Sequence, residues 1–158
     1  MTDHEAARAF VELEADLLDH RDYTGWLELW DEAGVYVVPV DADGDTDDFA
    51  DHLNIAFDDA EMRRMRINRL TSGDAISTQL GAMTVRSVSR LRVLCDDGVH
   101  ADLRCAQFIA ENNHGTIRIY PADVTFRLRR EGGTFRILRK IVRLLHAEHA
   151  MAAIGYIL

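Results

Sequence analysis

The sequence predicts an α+β fold in a single domain, residues 1–158, with N-terminal helices packed on a mainly antiparallel sheet. Apolar residues recur at helical spacing in the first part of the chain, whereas apolar and polar residues alternate from Ala82 onward. Glycine-containing turn signals separate the alternating segments. Helices followed by a run of strands are typical of α+β domains. With 158 residues, of which 47% are hydrophobic, the chain is long enough to bury its own core.

Residues 3–20 are predicted to form an amphipathic helix, which Thr2 or Asp3 can cap. Its expected apolar side consists of Phe10, Leu13, Leu17 and Leu18. A second, short helix is predicted to begin at Asp22 and to break at Gly34. The apolar side of that helix would consist of Trp26, Leu27, Leu29 and Trp30. A short strand over 35–38 then ends at Pro39, which cannot donate to a strand ladder.

A third helix is predicted to begin near Asp58, because the spacing of Asp58 and Glu61 resembles a capping box. Its inward side chains are expected to be Met62, Met65 and Leu70. Four strands follow, over residues 84–95, 99–111, 116–130 and 134–145. The last strand ends in the apolar run Ile141, Val142, Leu144 and Leu145. Such a run predicts a strand that is covered on both faces.

The net charge of −9 hides a division between two halves of the chain. Residues 1–61 hold two bases and 19 acids, a net charge of −17, whereas residues 62–158 hold 16 bases and eight acids, a net charge of +8. The acidic whole argues against nucleic-acid binding, and the arginines that alternate along strands fit the solvated face of a sheet. Opposed charges on two parts of one chain also suit contact between subunits. Neither a membrane-spanning run nor a signal-peptide layout is evident, so we expect a cytoplasmic protein.

The cysteine, aspartate and histidine residues do not fit the spacing of a disulfide, a calcium-binding loop or a histidine metal site. The turn at Asp97-Gly98 would place Cys95 opposite His100, so Cys95 and Cys105 are expected to be free thiols rather than a disulfide. Residues 41–51 contain many aspartates but fail the EF-hand spacing, which favours a solvated loop. His146 and His149 are three residues apart and would need a third ligand to hold a metal ion. No metal site is therefore predicted.

One enzymatic alternative is a pocket between the helices and the sheet. Six side chains could line it: Tyr23, Trp26, Asp31, Tyr36, His52 and Arg69. A desolvated aspartate or histidine in such a pocket could act as a general base. The competing interpretation is that the aromatic residues belong to the core and the acids to the surface.

Four stretches of the sequence also carry a family resemblance. They are residues 14–29, with the pattern E…LLD…Y..WL.L, the RLTSG segment 69–73, the strand 84–93, and FRILRKIVRL at 135–144. Their order and spacing resemble the small β subunit of the bacterial aromatic-ring-hydroxylating dioxygenases, which belongs to the NTF2-like (cystatin-like) superfamily. The resemblance implies a cone in which N-terminal helices pack on a strongly curved sheet.

The resemblance also implies a function. The chain would be a non-catalytic, structural β subunit in the catabolism of aromatic compounds by cis-dihydroxylation. A Rieske [2Fe-2S] cluster and a mononuclear Fe(II) would lie on a partner α subunit, with no cofactor on this chain. Self-association as a trimer and an α3β3 hexamer are expected. The interface elements would be the strand end 139–145, the apolar tail 151–158 and the acidic loop 41–51. The alternatives are a stand-alone NTF2-like isomerase or dehydratase with an Asp or His general base, or a binding module without chemistry.

Overall fold

Three helices and six strands make up the described part of this computed structural model, residues 1–40, 49–72, 82–147 and 156–158. The helices are α1 (Asp3–Asp19), α2 (Tyr23–Glu28) and α3 (Ala60–Thr71). The strands are β1 (Trp30–Pro39), β2 (Asn54–Asp58), β3 (Ala82–Asp96), β4 (His100–Asn113), β5 (Thr116–Glu131) and β6 (Thr134–Leu144). None of the described helices is long and apolar enough to cross a membrane.

The six strands form one curved, unclosed sheet in the order β2-β1-β6-β5-β4-β3. All neighbouring pairs are antiparallel except β1 and β6, which are parallel. Helix α1 lies on the inner face of the sheet and contacts β3 and β6. Strand β4 alternates between buried and more exposed residues along most of its length. The predicted α+β architecture, with helices on one face of a mainly antiparallel sheet, is confirmed.

Helix α1 begins with a capping box. The Glu5 amide donates to the Thr2 hydroxyl, and the Thr2 amide donates to the Glu5 carboxylate. The prediction that Leu13 lies on the buried side of this helix was wrong. Leu13 is 45% exposed, whereas Glu14 is buried, because positions 7, 10, 14 and 18 form the stripe that faces the sheet.

Helix α3 is capped by Asp59, whose carboxylate accepts from the Met62 amide, and not by Asp58 as predicted. Met62 and Met65 point to solvent, contrary to expectation, and are 46% and 55% exposed. The buried positions are Ala60, Arg63, Ile67 and Leu70, which follow the three-and-four spacing of one helix face. A prediction from hydrophobicity alone therefore chose the wrong buried face for α3, because Arg63 occupies one of the buried positions.

Helix α2 ends earlier than predicted, and Trp30 already belongs to β1. Gly34 lies where the pairing of β1 with β6 shifts register between Trp30 and Val35. A Cβ atom on Gly34 would lie 2.6 Å from the Ile137 carbonyl oxygen, so this glycine permits a close approach of two strands. Strand β2 was not predicted at all.

The β3–β4 turn lies one residue further along the chain than predicted, which shifts the pairing of the two strands by two residues. Cys95 lies opposite Asp102 and not opposite His100, because Gly98 and Val99 form the turn while Asp97 bonds to the His100 carbonyl oxygen. The expectation that Cys95 and Cys105 are free thiols is confirmed.

The end of β6 is buried on both faces, as predicted, but by residues of the same chain. Val142 faces the main core, while Ile141 packs on the other side with Val37 and Phe49. Leu145 was wrongly included in this run and is 70% exposed. Phe49 belongs to the predicted acidic loop 41–51, of which residues 41–48 lie outside the described residues.

Candidate functional site

The six side chains proposed for a pocket do not converge in one place. Trp26 and Tyr36 lie in the core, with ring centroids 6.2 Å apart, and Tyr23 packs half-buried against that core. Asp31 instead forms an ion pair with Arg129 near the surface. The remaining two, His52 and Arg69, are exposed. The aromatic members of the set therefore belong to the core, as the competing interpretation expected.

The interior between α1 and the sheet contains a buried ion pair. The Lys140 ammonium donates to the Glu14 carboxylate at 2.8 Å, and both side chains are at most 1% exposed. The Trp26 indole N–H donates to the same carboxylate oxygen at 2.7 Å. The Lys140 ammonium also lies 5.6 Å from the centre of the Phe126 ring. Burial lowers the pKa of Lys140, and the Glu14 carboxylate opposes that shift.

Residues 156–158 occupy the space beside this ion pair. Lys140 donates to the Leu158 carbonyl oxygen at 2.8 Å, and the Leu158 amide donates to the Tyr36 hydroxyl at 3.0 Å. Ile157 and Leu158 are each 1% exposed. Burial raises the pKa of Tyr36, so its hydroxyl stays protonated. This part of the interior is therefore filled by the chain itself.

A second group of polar contacts holds the same segment from the side of β3 and β4. Arg86 pairs with Asp19 of α1 and donates to the Ile157 carbonyl oxygen. The Tyr156 hydroxyl donates to the Glu111 carboxylate at 2.8 Å, and burial raises the pKa of Tyr156. Arg86 and Tyr156 thus bind a backbone carbonyl and two carboxylates of the same chain.

A separate cleft of about 580 Å³ opens at the surface around Asp31. Its lining residues are Glu28, Trp30, Asp31, Glu32, Arg129, Glu131 and Arg136. The Ala33 amide and the Arg129 guanidinium lower the pKa of Asp31. An efficient general base has a pKa near the working pH, so this ion-paired carboxylate is poorly suited to the role.

Among the described residues, no three or more His, Cys, Asp or Glu side chains lie together as a group that could hold a metal ion. Of the predicted histidine pair, His146 is exposed, while residues 148–155 lie outside the described residues. Burial raises the pKa of the Cys105 thiol to about 12, which keeps it unreactive at neutral pH.

Sequence reasoning missed Glu14 and Lys140, the central residues of the interior. A signal was present for both. Glu14 is four residues from Phe10 and from Leu18, so it shares their helix face, and Lys140 lies two residues before the buried Val142. Neither residue was singled out, because charged side chains are seldom fully buried.

A family model and a curated relative both match this chain, and they agree on the kind of protein. Residues 13–149 match the family model described as "Ring hydroxylating beta subunit". The small oxygenase component of the p-cumate 2,3-dioxygenase system of Pseudomonas putida is 31% identical over 127 residues, which cover 80% of this chain and 71% of that protein.

Solved structures show the same fold at lower identity. The β subunit of benzoate 1,2-dioxygenase from Burkholderia mallei superposes with a TM-score of 0.80 at 18% identity, covering 99% of both chains. An NTF2-like protein with a cystatin-like fold from Novosphingobium aromaticivorans gives a TM-score of 0.65 at 20% identity, covering 96% of this chain and 87% of that one. The predicted NTF2-like architecture is confirmed.

Proposed function

Since the chain belongs to the family of ring-hydroxylating β subunits, we propose that it is the structural small subunit of a cytoplasmic oxygenase that dihydroxylates an aromatic compound. In this role it binds an α subunit that carries the Rieske [2Fe-2S] cluster and the mononuclear iron. Three copies of each chain form an α3β3 hexamer. The substrate is bound and oxidised on the α subunit, and this chain supplies no catalytic group.

The observation that carries the proposal is the filled interior. A stand-alone NTF2-like isomerase or dehydratase needs an open pocket between helices and sheet, with a base that faces the substrate. Here Ile157 and Leu158 are buried in that space, and Lys140 is bonded to Glu14 and to the Leu158 carbonyl oxygen. These contacts support a structural role over the isomerase or dehydratase alternative.

The test is co-expression with the product of a neighbouring gene that carries a Rieske motif, followed by affinity purification through a tag on this chain. We expect the large subunit to co-purify in a complex of hexamer size, and iron to follow the large subunit when the two chains are separated. A Rieske ferredoxin, expressed in place of the large subunit, serves as the control for non-specific binding to this chain. Failure to retain the large subunit, together with turnover by this chain alone, would contradict the proposal.

A further inference from the structure

The segment 156–158 is held inside the protein in the way that a peptide ligand is held. The Leu158 amide donates to the Tyr36 hydroxyl of β1 at 3.0 Å, and the Leu158 carbonyl oxygen accepts from Lys140 of β6 at 2.8 Å. Most backbone groups in folded proteins bond to other backbone groups. A peptide unit that is bound at both its N–H and its C=O by buried side chains instead resembles a ligand in a pocket with a few placed polar groups.

The side chains that hold this segment are themselves withdrawn from water. Lys140 is 0% exposed and Tyr36 is 2% exposed. The Arg86 side chain, which donates to the Ile157 carbonyl oxygen, is 1% exposed. Buried polar and charged groups are costly unless hydrogen bonds replace those that water would make. This part of the interior is therefore built to receive hydrogen-bonding groups.

The segment uses only part of that hydrogen-bonding capacity. In the described part of the chain, three buried polar atoms have no hydrogen-bond partner: Glu14 Oε2, Glu111 Oε1 and Arg86 Nε. Glu14 and Glu111 are 1% and 0% exposed. Two of the three atoms are carboxylate oxygens, so a further N–H donor in this space would be stabilised. We define the interior site as Glu14, Tyr36, Arg86, Glu111 and Lys140.

The charges of the interior site restrict the class of ligand that it can take. Lys140 is paired with Glu14, and Arg86 is paired with Asp19. Glu111 has a hydrogen bond from the Tyr156 hydroxyl but no positive partner among these groups. Three negative charges against two positive ones leave one negative charge in excess, which disfavours an added anion in a buried space.

The contacts of Leu158 define the remaining features of such a ligand. It needs an oxygen that accepts from Lys140 and an N–H that donates to Tyr36, as the backbone of Leu158 provides. It also needs a branched apolar body, because Ile157 and Leu158 pack into the main core and are each 1% exposed. A neutral carboxamide with a branched aliphatic chain has all three features.

We propose that the interior site is a binding site for a neutral aliphatic carboxamide, which Ile157 and Leu158 occupy as a built-in ligand. The segment 156–158 keeps the site closed in the intact chain, since a tethered ligand outcompetes free molecules through its high effective concentration. Release of the segment opens the site to small amides. The inference goes beyond the proposed function, because it concerns the chain alone and does not depend on the large subunit.

Cys105 provides the readout. It is 1% exposed, and Lys140 and Glu14 are among the groups that shift its pKa, so its thiol reports on the same interior. The full chain with Cys95→Ser retains Cys105 as its only thiol. The rate at which a soluble thiol reagent labels Cys105 then measures how often the interior opens.

The released variant combines Ile157→Ser with Leu158→Ser in this background, which removes the two apolar anchors of the segment. We expect labelling of Cys105 to become at least about tenfold faster, because the segment no longer gains from apolar burial. Leu145→Ser is the matched control, since Leu145 is 70% exposed. It should change the labelling rate by less than about twofold.

Three probes with the same branched chain test the class of ligand: 4-methylpentanamide, 4-methylpentanoate and 4-methylpentylamine. The amide should slow the labelling of the released variant and bind at least about tenfold more tightly than the other two. The carboxylate has no N–H and adds a negative charge, and the amine has no oxygen acceptor. None of the probes should slow labelling when Ile157 and Leu158 are intact, because the segment then fills the site.

Selective protection of Cys105 by the amide supports the inference. Equal protection by all three probes overturns it, as does protection by the carboxylate or the amine alone, or a folded released variant that no probe protects. Circular dichroism and cooperative urea unfolding check the fold, and Leu158→Ser alone carries the same comparison where the double variant does not fold. Binding of the large subunit is measured separately by affinity purification, so the failure of either proposal is distinguishable from the failure of the other.

Discussion

Lys140 and Glu14 place opposite charges in a part of the core that is otherwise lined by apolar and aromatic side chains. Removal of two charges from water costs several kcal/mol each, and the mutual attraction offsets this only when further hydrogen bonds complete the site. Here Trp26 and the Leu158 carbonyl oxygen supply those bonds. The pair therefore ties α1, β6 and the segment 156–158 together.

Lys140→Met is expected to lower the free energy of unfolding by about 3–5 kcal/mol, because it leaves the Glu14 carboxylate buried without its counter-charge. The double variant with Glu14→Gln should recover at least half of that loss, since the glutamine oxygen still accepts from Trp26. Urea denaturation measures the free energy of unfolding of both variants. Arg8→Met provides the control, because Arg8 and Glu12 form an exposed pair at 3.8 Å whose loss should cost less than about 0.5 kcal/mol. Equal losses from Lys140→Met and Arg8→Met would contradict this role of the pair.

Among the elements, the β3–β4 hairpin depends on Asp97. Its carboxylate accepts from the His100 amide at 2.6 Å and from the Val99 amide at 2.8 Å, and these bonds lower the pKa of Asp97 to about 2. A carboxyl group whose pKa is lower in the folded state stabilises the fold above its unfolded pKa of 3.8. That stabilisation is lost as the pH falls through about 2.

Asp97→Asn is accordingly expected to destabilise the protein at neutral pH, and the difference from wild type should shrink between about pH 4 and pH 2. Unfolding free energies of the two proteins at a series of pH values measure this difference. An NMR titration of the Asp97 carboxyl carbon gives the pKa directly. A midpoint near the ordinary value of 3.8 would contradict the argument.

The four C-terminal strands were predictable from sequence to within two residues at each boundary. Their alternation extends over 11 to 16 residues, and glycine marks each turn. The region around β1 and β2 was less predictable, for physical reasons. Trp30 lies at helical spacing from Trp26, yet it belongs to a strand that pairs in parallel with the distant β6. Strand β2 has only five residues, too few for a periodic signal to stand out.

The interior could be predicted only in part for a related reason. The aromatic residues Trp26 and Tyr36 were assigned to the core on one interpretation, which is correct. The partners of Tyr36 and Lys140 lie 122 and 126 residues away along the chain, at Leu158 and Glu14 respectively. No local pattern specifies contacts at such separations, because they depend on how the sheet curves around α1.

At the scale of the whole molecule, the sheet separates an inner face filled by the chain's own residues from an outer face with an apolar patch and arginines. The inner face binds Ile157 and Leu158, so the interior serves stability. On the outer face, Val85, Phe108 and Ile119 are exposed, whereas Ile141 is buried against Val37 and Phe49. This division suits a subunit that acts by assembly. Substitutions on the inner face should change stability, whereas substitutions of exposed side chains on the outer face should leave stability nearly unchanged.

Tyr36→Phe tests the inner face for catalysis. The hydroxyl accepts a hydrogen bond from the Leu158 amide, so its removal should cost about 1 kcal/mol of stability. The oxygenase reconstituted from this variant and the wild-type large subunit should keep its turnover number within about twofold, because the tyrosine is buried in the core of this chain. Loss of a general acid or base would instead reduce turnover by about 100-fold or more. Turnover at saturating substrate, measured at a temperature where both complexes are fully folded, therefore distinguishes a structural tyrosine from a catalytic one.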